Sequence, residues 1–125
     1  MTPHEQARMA YSSPAAPTRT ARGTEYEAFV DITRALKRAT LAGRPGFKDL
    51  VAALHRNRQL WTILAASVAD PENGLPAPLR ARLFYLYEFT QKHTSEVLAG
   101  RESANALIEI NATVMKGLVP KGDVS

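Results

Sequence analysis

Apolar residues recur at three- and four-residue spacing in four stretches of this 125-residue chain, and no stretch alternates apolar with polar residues as a half-buried strand would. In the first, Tyr26, Phe29, Val30, Thr33, Leu36 and Thr40 follow Thr24, Glu25 and Glu27, which have the hydroxyl and carboxylate spacing of a capping box. The spacing predicts a helix over 25–42, stopped by Gly43, Pro45 and Gly46. The second stripe runs through Phe47, Leu50, Val51, Leu54, Trp61, Leu64, Ala65 and Val68 to Asp70 and Pro71. Nothing between Phe47 and Ala69 breaks a helix, so this one spans roughly six turns at 3.6 residues each and forms the spine of the fold.

A turn-rich segment, Asp70-Pro71-Glu72-Asn73-Gly74-Leu75-Pro76, separates the two halves, with Asn73 and Gly74 suited to positive φ. Pro78 opens a third helix with the stripe Leu79, Leu83, Leu86, Tyr87, Thr90 and Val97, which Gly100 ends. A fourth runs over about 102–116 on Leu107, Ile108, Asn111, Val114 and Met115, closed by Gly117. Connections this short favour antiparallel neighbours, so the fold class is all-α, a small antiparallel bundle of about four helices.

The ends read differently. Thr2, Pro3 and Glu5 start a short N-terminal helix over about 3–11, too short to persist without something to dock on. Residues 12–23 carry prolines and arginines without an apolar period, the composition of a flexible, Pro-rich linker. The division expected is therefore 1–23 as short helix and linker, 24–118 as the helical domain, and 119–125 as a flexible tail.

Two polar residues interrupt the stripe of the second helix. Leu54, Arg58, Trp61 and Ala65 are spaced to share one face, and Asn57 falls on the adjoining edge with Leu50, Leu54, Leu64 and Val68. A guanidinium facing a core costs on the order of several kcal/mol unless an acceptor satisfies it. The fourth helix has the matching anomaly in Ile108-Glu109-Ile110-Asn111, where Asn111 lies on the stripe of Leu107, Val114 and Met115. Two readings stand. In one, Asn57 or Arg58 pairs with Glu109, Asn111 or a turn carbonyl and locks helix packing, with Trp61 in the core. In the other, the group rims a groove for a partner's helix, with Arg58 and Trp61 as anchors.

Composition narrows the chemistry. The chain has no cysteine, which excludes disulfides, thiolate nucleophiles and Cys-ligated zinc and fits a reduced, cytoplasmic setting. No apolar run approaches 20 residues, which predicts a soluble protein without membrane insertion. His4, His55 and His93 lie on three separate predicted elements, and hydrolase signatures and phosphate-cradling loops are missing; Gly43-Arg44-Pro45-Gly46 reads as a helix-helix turn. The expectation is a protein without catalytic, metal or cofactor site. Sixteen Lys and Arg against twelve Asp and Glu leave a net charge of +4, which makes nucleic acid a partner to consider. The excess is spread along the chain, and the turns and long helices do not suit a DNA-reading helix-turn-helix.

Taken in order, Glu25-Tyr26, Thr33-Arg34-Ala35-Leu36, Asn57-Arg58-Gln59-Leu60-Trp61, the segment from Asp70 to Pro76, and Ala106-Leu107-Ile108-Glu109-Ile110-Asn111 leading into Met115-Lys116-Gly117-Leu118 resemble the FlaF family of flagellar biosynthesis regulators from alphaproteobacteria. The resemblance spans about residues 10–118. It implies a small cytoplasmic, non-enzymatic protein that binds flagellin as a secretion chaperone, promotes flagellin synthesis and export, and opposes FlbT, a post-transcriptional repressor of flagellin. The alternative is an RNA-binding regulator of the flagellin message.

Overall fold

The computed structural model describes residues 16–118, with side chains over 26–117. Within them lie four α-helices and no strand: α1 (Ala16–Leu41), α2 (Phe47–Ala69), α3 (Ala77–Leu98) and α4 (Asn105–Leu118), with a 3-10 turn (Arg44–Gly46) between the first two. The expected N-terminal helix and the tail lie outside the described residues.

The helices run up-down-up-down. Each of α1 and α2 packs along the other, α2 along α3, and α1 along α4, whereas α3 and α4 meet only sparingly. Two apolar clusters fill the interior. Ile32, Leu36, Ala53, Leu54, Val97, Ala104 and Leu107 bind together the end containing the α1–α2 and α3–α4 turns. Phe29, Trp61, Leu64 and Val68 fill the other half, covered by partly buried Leu83, Leu86, Tyr87, Ile110 and Val114. The Phe29 and Trp61 rings meet edge to face, with centroids 5.8 Å apart and an interplanar angle of 85°, a geometry that sets the positive ring edge against the negative face.

Helix α1 begins well ahead of the expected start, so residues 16–23, read as part of a flexible linker, are helical instead. Pro17 falls in the first turn, where a missing N–H costs nothing, and no proline follows until Pro45. Gly23 costs about 1 kcal/mol in a helix interior and does not end one. The capping-box residues Thr24 and Glu25 therefore lie inside the helix. At the other end of the chain, α4 runs through Gly117 to Leu118 rather than closing at Gly117.

The turn after α1 depends on two glycines for different reasons. Gly43 has φ 66°, in the left-handed region that side chains with a Cβ avoid. Gly46 is buried against α1, and a Cβ there would lie 2.7 Å from both the Ala39 carbonyl oxygen and Ala42 Cβ. Its N–H donates to Gly43 O at 2.9 Å. On the other side of α2, Gly74 does not take positive φ as expected; the positive-φ glycines of the described chain are Gly43 and Gly100. The α2–α3 turn is shaped by side chains instead.

Candidate functional site

Asn57 and Trp61 lie one helical turn apart on α2, which sends both side chains to the centre of the bundle. Both are completely buried, as is Asn111 on α4, and Thr33 on α1 is nearly so. Trp61 Nε1 donates to Asn111 Oδ1 at 2.9 Å. Asn111 Nδ2 donates to Asn57 Oδ1 at 2.8 Å and to Thr33 Oγ1 at 3.2 Å.

The chemistry of the groups orders this cluster. An indole N–H can only donate, so Asn111 must turn its carbonyl toward Trp61 and its amide protons toward Asn57 and Thr33. Asn57 must then accept through its own oxygen, and its Nδ2 is left buried without a partner. One donor-only ring thus fixes the orientation of two amides. Three helices, α1, α2 and α4, are joined at one point in the core.

Arg58 does something else. It is half-buried at the α2–α3 seam, where Nη2 donates to Gln91 O at 3.0 Å and to Ser95 Oγ at 2.7 Å. Its acceptors are a helix backbone carbonyl and a hydroxyl, neither of them on α4. Buried Nε of Arg58 and Nε2 of Gln91 have no partner. Arg58 therefore ties α3 to α2, the attachment that the cluster around Asn111 does not supply.

Asn73 is a turn residue. Its Nδ2 donates to Ser67 O at 3.0 Å and Ser67 Oγ at 3.1 Å, while its Oδ1 accepts from the Leu75 N–H at 2.9 Å. Arg80 adds a donor to Asp70 O at 3.2 Å. Together they satisfy carbonyls that the end of α2 leaves open. Glu109, by contrast, is exposed on α4 and takes no part in the cluster. It is two residues from Asn111, about 200° around the helix, so the two cannot both face the core.

Of the expected site residues, Asn57, Trp61 and Asn111 come together, Arg58 and Asn73 act at separate helix junctions, and Glu109 stands apart. Thr33, Gln91 and Ser95 were not expected. Thr33 was counted in the apolar stripe of the first helix although its hydroxyl is what the cluster uses. Gln91 and Ser95, four apart on α3, signalled a polar edge beside that helix's stripe.

No group of His, Asp and Glu able to hold a metal occurs among the described residues. His55 is exposed, and His93 stacks on Phe89 with centroids 5.3 Å apart while its Nε2–H donates to Ser103 O at 2.9 Å. On the surface, Arg101 donates to Glu96 at 2.6 Å and holds that carboxyl below its ordinary value. No helix among the described residues is long and apolar enough to cross a membrane.

A buried amide cluster joining three helices, with Arg58 tying the fourth to them, defines the described residues as a small all-α bundle. The family model for flagellar protein FlaF matches residues 7–118, and the chain belongs to that family. No curated protein and no solved structure matches it.

Proposed function

We propose that this flagellar protein binds flagellin in the cytoplasm as a secretion chaperone and thereby promotes flagellin synthesis and export in opposition to FlbT, without a catalytic step. Burial of Asn57, Trp61 and Asn111 removes them from any partner-facing rim. The surface that suits an amphipathic partner is instead α3, where Leu79, Phe84, Tyr85 and Phe89 are exposed, Tyr85 to 66%.

Tyr85 and Phe89, one turn apart on one face of α3, carry the reading. Aromatic side chains on a helix beside a sparsely packed α3–α4 seam offer the large, rigid apolar contacts that dominate helix-recognition surfaces. Flagellin's terminal segments, amphipathic and poorly ordered before assembly by the family resemblance, supply a complementary apolar face. Covering it requires no acid, base or metal.

Co-elution of the purified protein with flagellin on a sizing column tests the proposal. Wild-type protein is expected to co-elute, and Tyr85→Ser, at the more exposed of the two aromatics, to elute apart from flagellin while keeping its thermal melt. Separate elution of the wild type at tens of micromolar would sink the reading. RNA binding, the other reading, rests on charge; it predicts affinity that falls steeply with salt, and no affinity at low salt removes it.

A further inference from the structure

The turn between α1 and α2 carries a surface that the flagellin reading does not use. From Ile32 to Lys48 the chain contains Arg34, Lys37, Arg38, Arg44 and Lys48 and not one carboxylate. All five cations are exposed, and none forms an ion pair among the described residues. At the apex, Leu41 is 88% exposed and Phe47 50% exposed. Between them residues 42–45 are exposed as well, and Gly43 has nothing within 4 Å of where its side chain would be. Exposed Asp49 beside Lys48 offsets one of these charges, and at the same end of the bundle Arg101 pairs with Glu96 beside exposed Glu102, so the hairpin remains the positive part of this end.

We propose that this hairpin tip is a peripheral membrane-docking element that sets Leu41 and Phe47 into the headgroup region of an anionic bilayer while Arg34, Lys37, Arg38, Arg44 and Lys48 engage the lipid phosphates. This is contact by two side chains, distinct from a membrane-spanning helix. Shape and charge select the occupant. A helix from a partner needs a groove, whereas this surface is a protruding turn. A nucleic acid would use the cations and could stack a base on Phe47, but it gains little from Leu41, an aliphatic side chain and the more exposed of the two. A negatively charged leaflet uses both features: it attracts basic residues within a Debye length and accepts apolar side chains just beneath its phosphates.

The buried Gly46 beneath the tip makes the device rigid. Its close approach to Ala39 and Ala42 holds the start of α2 against the end of α1, which keeps Leu41 and Phe47 at one end of the molecule.

Sedimentation of the full chain with vesicles tests the proposal. Binding is expected to vesicles of phosphatidylcholine containing roughly one-third phosphatidylglycerol, to be absent with phosphatidylcholine alone, and to be lost at high salt. Lys37→Glu with Arg38→Glu should weaken partitioning by about thirtyfold or more. Leu41→Ser with Phe47→Ser, which leaves the charge unchanged, should weaken it at least about tenfold. All four positions are exposed, so helical circular dichroism should be unaltered.

The lack of native cysteine permits a second readout that does not depend on those variants. A polarity-sensitive dye on Leu41→Cys should shift to the blue when anionic vesicles are added, and the same dye on Gly74→Cys, at the opposite end of the bundle, should not. No sedimentation at low salt overturns the proposal. So does binding that the serine pair leaves undiminished, since charge alone would then explain it. Tight binding of a mixed-sequence RNA in place of vesicles also overturns it, assigning the cations to nucleic acid.

Discussion

Trp61 on α2 donates its indole proton to the side-chain carbonyl of Asn111 on α4 across 2.9 Å, with both residues completely buried. Because the indole cannot accept, this one bond orients Asn111, which in turn orients Asn57 and engages Thr33. A buried polar cluster of this kind favours one register of three helices over the alternatives, since any slip leaves donors unpaired in a low-dielectric interior.

Asn111→Leu is expected to lower unfolding free energy by about 3 kcal/mol or more, because it leaves Trp61 Nε1, Asn57 and Thr33 without their partner. Urea unfolding measures it. A loss below about 1 kcal/mol is incompatible with a dry cluster. In a double-mutant cycle, Asn111→Leu and Trp61→Phe should couple by roughly 0.5–3 kcal/mol, as contacting residues do.

Removing the Trp61 ring itself opens a hole beside Phe29 and Leu64. Trp61→Ala should cost about 3–5 kcal/mol. As the chain's one tryptophan, Trp61 also reports its own environment: native fluorescence should resist an aqueous quencher, and full quenching would place the ring at the surface.

Arg58→Met preserves much of the aliphatic stem and deletes the bonds to Gln91 O and Ser95 Oγ. The expected loss is about 1–3 kcal/mol. Amide exchange should quicken over α3 more than over α1, since Arg58 ties α3 to α2 whereas Asn111 joins α1, α2 and α4. Equal acceleration in all helices argues against a local tether.

Gly46→Ala forces a methyl against a backbone carbonyl and Ala42, and should destabilise by ~1–3 kcal/mol. Gly74→Ala meets nothing within 4 Å and should stay within about 0.5 kcal/mol of wild type. Thermal melts of the two variants side by side separate a close-approach glycine from one that merely lies in a turn.

Much of this architecture was legible along the chain. The apolar period from Phe47 to Val68 located α2 at both ends, because a run without breakers between a glycine and Asp-Pro has few other solutions. Asn57 and Asn111 drew notice by the same logic, as polar residues at angles reserved for apolar ones. The start of α1 was less legible: a capping box at Thr24 looked like a beginning, and a proline-containing stretch looked like a linker, yet Pro17 sits where a helix tolerates it.

Local spacing along the chain was enough to define the helices, their amphipathic faces and the polar residues within those faces. Which of these residues meet depended on how the helices pack. Glu109 and Asn111 were both named as partners for Asn57 or Arg58; the packing of α4 brought Asn111, the one on the apolar stripe, to Asn57 and Trp61, and Arg58 found its acceptors on α3 rather than α4. Partner choice depends on the rotation and register of helices far apart in the chain, which periodicity within one helix does not specify.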